Sequence, residues 1–396
     1  MRLLRVETTV VALGLAMVGS MLLEIGAARV AIGDLIVASL ILHKSLSRTL
    51  RKTDGARATD APRIRLVAPM AAFTIAGLIG LYDIGIDIST LVSVIRDWAA
   101  LGWLYVVYLY RHDLTDKVIC QLANFAGFLV LVELAILLQE RGINRATGTF
   151  LEPNYAAHFV TIVGFFCIGL GSSRLLKYAT AAAILWSLLL TGSFGGMAMV
   201  AVGLPVALAG AIHKSLSPDS RALVNYVLFV SFTLLALVML SRADIVLADE
   251  RLSVLGDQLG SNRFDKSGDS RSRIWGESLA QFAERPWGWG PDGLTRRGLL
   301  KNSIHNDYVA AVVERGILGL VALLWLLRNT WAAAKVKTDT LIAILLASAV
   351  SGAVREVLHF RHMWLMIGLS IYAGWAKSRR SQELESQHIP ERAPAV

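Results

Sequence analysis

"NSIHNDYVAAVVERGILGLVALLWLL", residues 302–327, begins as a polar loop and ends as a lipid-soluble helix. That changeover decides the class, because the apolar part is long enough to cross a hydrocarbon core about 30 Å thick. The pattern recurs along the chain, with spans expected near 8–23, 29–43, 66–83, 91–110, 118–138, 155–171, 176–191, 195–212, 222–240, 308–327, 339–354 and 363–376. The 396 residues are 55% hydrophobic and only 17% charged, short of the roughly one quarter that covers a soluble surface. The runs are continuous and do not alternate apolar with polar, which excludes a β-barrel. The expected fold is all-α: a polytopic membrane helical bundle of about twelve transmembrane helices, with one large periplasmic loop containing interfacial helices.

The first segment, residues 1–23, has a basic start and an apolar body, like a signal peptide. No clear small-residue cleavage site follows, so it is read as a retained first span. Cys120 and Cys167 both fall inside apolar runs and offer neither a disulfide framework nor zinc spacing. The net charge of +9 does not point to nucleic acid, because the basic residues gather in short loops at 43–65, 172–177, 328–337 and 377–380. That is the positive-inside pattern, and it puts both termini in the cytoplasm. The expected division is transmembrane helices one to nine over 1–240, a periplasmic loop over 241–307, helices ten to twelve over 308–376 and a cytoplasmic tail over 377–396, frayed in its last stretch 381–396. Segments 139–154, 241–307 and 355–362 then share the extracytoplasmic side.

The long loop carries the most information, since long connections in compact domains are usually functional or disordered. Its stretch "SRSRIWGESLAQFAERPWGWGPDG" (270–293) sets Arg271, Trp275 and Ser278 on one helical face, with Leu279 and Phe282 alongside. The helix is expected to stop before Pro286. Its aromatic residues Trp275, Phe282, Trp287 and Trp289 suit a bilayer surface. Asp269 or Ser270 is a reasonable N-cap, which would put Arg271 and Arg273 in the first turn. Cations there oppose the helix dipole. A bound phosphate or diphosphate would meet free N–H groups and two guanidinium forks together. Simple anchoring to lipid phosphates is the competing reading.

His305 stands at the mouth of the following span, beside Asn306 and Asp307, which are placed to cap it. An imidazole titrates near neutrality, so His305 is either a solvated loop residue or a general base at the membrane surface. Glu314 and Arg315, deeper in that span, are expected to pair with other helices. "GTFLEPNYAAHF" (148–159) puts Glu152, Asn154 and His158 at the outer start of another span, and "REVLHFRH" (355–362) adds Arg355, His359, Arg361 and His362. No phosphate-binding glycine loop, dinucleotide fingerprint or Asp-x-Asp metal pair is present. No metal or other cofactor is therefore expected, and cationic side chains would handle any diphosphate.

Four of these stretches together resemble the bacterial O-antigen ligase and polysaccharide polymerase family, a group of C-type membrane glycosyltransferases. "FLEPNYAA" (150–157) is similar to its Asp/Glu-Pro-Asn segment, and "LTGSFGG" (190–196) to its Thr-x-Ser-Arg-Gly turn. The 270–293 stretch is similar to its Arg-x3-Trp segment with Pro and Gly-x-Gly. "IHNDYVAAVVERGILG" (304–319) is similar to its His-Asn-x-Tyr segment ending in Glu-x-Gly. The resemblance implies transfer of a glycan from undecaprenyl diphosphate to an acceptor hydroxyl, outside the inner membrane. The acceptor is a lipid A-core sugar for a ligase, or a growing lipid-linked glycan for a polymerase. His305 and Arg271 are the implied catalytic residues. Arg273, Asn306, Tyr308, Glu152, Asn154, Trp275 and Arg145 are the implied substrate-binding ones. The chain departs from the family at Phe194, where the turn's arginine would fall, so Arg273, Arg141 or Arg145 would have to supply that charge. Membrane lipids are the other expected partners, and lipopolysaccharide and exopolysaccharide pathways stay equally open. A flippase for lipid-linked oligosaccharide and a non-catalytic scaffold of an export complex are the rival readings.

Overall fold

The computed structural model describes residues 2–19, 24–25, 30–50, 64–82, 85–86, 88–140, 146–150, 152–212, 261–301, 304–334, 338–355 and 357–387. Apart from a two-residue antiparallel pairing of Glu24–Ile25 with Val30–Ala31, the described elements are helices. In chain order they are α1 (Arg2–Gly19), α2 (Ile32–Leu50), α3 (Val67–Gly80), α4 (Ile88–Tyr110), α5 (Asp116–Gln139), α6 (Pro153–Leu170), α7 (Arg174–Thr191) and α8 (Phe194–Ile212). There follow α9 (Ser261–Glu284), α10 (Gly293–Arg296), α11 (Asp307–Val313), α12 (Gly316–Ala333), α13 (Asp339–Val354) and α14 (Arg361–Gln387).

Among the described residues, five segments are long and apolar enough to cross a membrane: Thr90–Tyr110, Asp116–Gln139, Pro153–Leu170, Arg174–Thr191 and Gly316–Ala333. Four shorter apolar helices cover Glu7–Val18, Val67–Gly80, Gly195–Leu208 and Asp339–Ala353. The span expected at 222–240 lies outside the described residues.

Local chemistry sets where the helices begin. Thr115, Ser173 and Thr338 each cap a start by accepting a backbone N–H two or three residues into the helix, and Pro153 occupies the first turn of α6. α6 is the central helix, buried continuously from Ala156 to Ile168. It packs against α5, α7, α8, α13 and α14, while α8 also lies along α13, α3 along α12 and α4 along α14.

The two ends of the bundle differ. One gathers the basic loops: Lys44 pairs with Asp113 at 2.9 Å, Arg380 with Asp116 at 2.8 Å, and Asn329 donates to the Arg65 carbonyl. The other end gathers the starts of α6, α8, α11 and α14 and the end of α13. The described parts of the three segments expected on one side of the membrane meet there, through Asn306–Ala353, Asp307–Val357 and Glu152–Arg355.

Three expectations are corrected. The run 308–327 is not one helix: α11 stops at Val313, and α12 restarts at Gly316 with φ +66°. The loop 285–291 docks into the break. Trp289 and Gly290 N–H donate to the Val313 and Glu314 carbonyls at 3.0 and 2.7 Å, and Ile317 N–H donates to the Pro286 carbonyl at 3.1 Å. Irregular backbone at such a place is tolerable because protein satisfies its polar groups. Second, α9 begins at Ser261, so Asp269 and Ser270 are not its cap and Arg271 and Arg273 sit mid-helix, away from its free N–H groups. Third, the tail is not frayed throughout, since α14 runs to Gln387.

Candidate functional site

The loop after α9 is organised around Trp289, which is buried with Leu294, Leu300, Ile304, Ala310 and Val313. Ile274, Trp275 and Phe282 of α9 pack against this group, whereas Leu279 is exposed. The aromatic residues therefore serve mainly as internal packing, and of the four named from the sequence only Trp287 is exposed. Trp289 also lies between the guanidinium groups of Arg285 and Arg297, 5.1 and 5.2 Å from its ring centre.

His305 is fixed from both sides. On one flank the Trp275 indole N–H donates to the carbonyl of buried Ile304 at 3.0 Å. On the other, Asn306 caps α11 by accepting from the Tyr308 and Val309 N–H groups, both at 3.0 Å, while its amide donates to the Ala353 carbonyl at 2.6 Å. His305 itself is exposed and has φ +49°, a left-handed conformation that costs a non-glycine residue about 1 kcal/mol or more. Anchored neighbours hold that conformation and turn the imidazole outward on a rigid backbone. Arg271 lies one helical turn before Trp275 on α9, so the indole bond couples the arginine helix to the histidine loop.

Other bonds tie in the remaining segments. The Asp307 carboxylate accepts from Val357 N–H at 2.9 Å, and Tyr308 O–H donates to the Ala349 carbonyl at 3.0 Å. These draw the end of α13 and the following turn onto α11. Arg355, one residue beyond α13, is ion-paired with Glu152, and its guanidinium lies 4.5 Å from the centre of the Tyr155 ring. Asn154 accepts from Ser193 Oγ at 2.9 Å, and the same oxygen accepts from Gly196 N–H at the start of α8. The result is a small cleft lined by Asn154, Ser193, Gly195, Gly196, Ser351 and Arg355.

Beneath it, Tyr155 approaches His359, and His158 Nδ1 lies 2.7 Å from His362 Nε2. Glu133 of α5 and Glu140, just past its end, hold the segment that leads to α6. Glu133 accepts from the Thr149 backbone and hydroxyl, and Glu140 from the Thr147 and Gly148 N–H groups.

A second polar cleft lies beside the helix break, lined by Ser93, Arg96, Asp97, Asp292, Glu314 and Arg315 among others. Arg315 donates to Asp97 of α4 at 3.0 Å and to Glu314 at 3.4 Å, and stacks on Phe73 at 4.0 Å. Arg315 makes the pairing with another helix that the sequence implied, whereas Glu314 pairs with Arg315 itself and accepts from the Asp292 N–H. Their mutual contact exists because the helix is interrupted between them and α12.

The structure thus brings Trp275, His305, Asn306, Tyr308, Glu152 and Asn154 to one end of the bundle. Arg273 stands apart on the exposed side of α9, paired with Glu277 at 3.7 Å. Arg361 is held by Asp34 of α2 through two bonds of 2.7 Å. Arg141 and Arg145 lie outside the described residues. The sequence reading did not single out Ser193, and it left Arg355 in a general outer cluster. Nothing in the order of residues links Glu152 with a partner 203 positions away.

With this geometry in hand, comparison with known families is informative. Residues 179–324 match the O-antigen ligase family. The match runs from α7 through α12 and includes Ser193, Arg271, Trp275 and His305. It supports the O-antigen ligase and polymerase family, a group of membrane glycosyltransferases, and with it O-antigen ligase-type glycosyl transfer in general. Lipid-linked glycan and acceptor substrates follow at the same level of generality. Glu152, Asn154 and Arg355 fall outside the O-antigen ligase match but meet it in space. No curated protein matches the chain.

Proposed function

We propose that the chain transfers a glycan from undecaprenyl diphosphate to an acceptor sugar hydroxyl, at the periplasmic face of a bacterial inner membrane, with both termini cytoplasmic. The observation that carries this reading is the bond from Trp275 on the arginine-bearing helix to the carbonyl beside His305. It unites two of the stretches that resemble the family, both inside the matched span. The chemistry asks little of the protein, because the diphosphate is already a good leaving group. The acceptor oxygen attacks the anomeric carbon, the bond from that carbon to the diphosphate oxygen breaks, and undecaprenyl diphosphate departs with the electron pair. His305 takes or directs the acceptor proton. Arg271 and further cations offset the charge growing on the leaving oxygen. A polyprenyl donor presents its reactive carbon at the membrane surface, which is why the base sits at the mouth of a span.

The test is a lipopolysaccharide gel on a strain lacking the gene, complemented with wild-type or His305→Ala protein. Core carrying a single repeat unit in the deletion strain would mark a polymerase. Bare core with polymer accumulating on the lipid carrier would mark a ligase. The His305→Ala protein should reproduce the deletion phenotype. Unchanged ladders and unchanged secreted polysaccharide would overturn the reading.

A further inference from the structure

We propose that Arg355 is the donor-phosphate contact in the cleft beside residues 193–196, replacing the arginine that this chain lacks at position 194. The inference rests on reading the site as one for a diphosphate-linked donor.

The described residues lining that cleft are Asn154, Ser193, Gly195, Gly196, Met199, Ser351 and Arg355, and Arg355 is the only cation among them. Arg355 therefore shares a cleft with the turn whose resembling family segment carries an arginine one residue after the serine. Exposure is divided unequally across its ion pair. The Arg355 side chain is 14% exposed and that of Glu152 is 49% exposed. The cation is the fixed half, flat against Tyr155. The anion is the half that can move aside into solvent at little cost. A phosphate oxygen could then take the place of the carboxylate oxygen that Arg355 Nη2 now holds, and a guanidinium fork can accommodate a second oxygen beside it.

The placement relative to the base is fixed as well. Asn306, next to His305, bonds to Ala353, and Asp307 bonds to Val357. Arg355 lies between these two anchors, so its backbone is tied on both sides to the helix that starts beside the imidazole. Of the other cations proposed from the sequence for this charge, only Arg273 is among the described residues, and it pairs with Glu277 on the exposed side of α9.

The experiment is binding of undecaprenyl diphosphate, without glycan, to the full-length protein in nanodiscs, alongside glycan transfer and a thermal melt. Arg355→Ala should weaken binding about tenfold or more, the loss expected for a hydrogen bond to a charged group. Glu152→Gln removes the same ion pair but leaves the cation, so its binding should fall clearly less than that of Arg355→Ala. Wild-type binding by Arg355→Ala overturns the assignment. Equal weakening in both variants also overturns it, since the pair would then be only a brace. Should Arg355→Ala fail to accumulate, Arg355→Lys keeps the charge but loses the fork, and binding several-fold weaker is expected; unaltered binding counts against the proposal. Arg355-dependent binding by a protein that transfers no glycan would overturn the transferase reading and leave this assignment standing. No binding by the wild type overturns both.

Discussion

The two ends of the bundle use charge in opposite ways. At the end that gathers the basic loops, the Arg380–Asp116 pair has side chains 69% and 47% exposed and joins two regular helices. At the other end, the Arg315–Asp97 pair has side chains 10% and 12% exposed and sits where a helix is broken. Water surrounds the first pair and screens it. The second pair has little water, so each ion depends on its partner. Charge at the first end braces regular helices at a wet surface, whereas charge at the second holds the irregular backbone at the helix break.

That contrast makes the largest expected effect a buried one. Asp97→Ala leaves the Arg315 guanidinium without its carboxylate across the helix interface and should cost about 3–5 kcal/mol, read as a fall in melting temperature and in membrane level. Gly316→Val comes next. A side chain there meets Trp287 and Pro286 backbone atoms at 2.4–2.5 Å, at a φ of +66°. About 2–3 kcal/mol of destabilisation is expected, with loss of transfer, because the docked loop would be pushed out of the break. Trp275→Phe keeps the packing and removes one hydrogen bond. It should cost about 0.5–1.5 kcal/mol in stability while lowering transfer disproportionately, which separates positioning of His305 from general folding. Arg380→Ala should change the melt by less than about 1 kcal/mol. A larger effect there than at Asp97 would break the comparison.

The sequence carried the apolar runs and the cap at Asn306, because each depends on local composition. It did not carry the break at 314–316. "ERG" inside an apolar run is the visible trace, but its meaning comes from the Trp289–Gly290 loop that pairs with the freed carbonyls. The start of α9 was misplaced for a related reason: Asp269 and Ser270 have capping chemistry, yet the helix continues upstream through Gly268. Within the site, His305, Trp275 and Asn306 were legible from one short motif each. The Glu152–Arg355 pair and the Asn154–Ser193 bond were not, since their partners are brought together only by the packing of α6 against α8 and α13.

The most direct test of the central claim is glycan transfer from an undecaprenyl-diphosphate-linked donor by reconstituted wild-type and His305→Ala protein, at matched levels and matched melting temperatures. His305 is exposed and the bonds of Trp275 and Asn306 hold the backbone on both sides of it, so the loop should keep its shape without the imidazole. The account predicts an unchanged melt with transfer reduced by a hundredfold or more, on the order of a lost general base. Transfer at the wild-type rate would contradict it and remove the outer cluster as the place where the chemistry occurs.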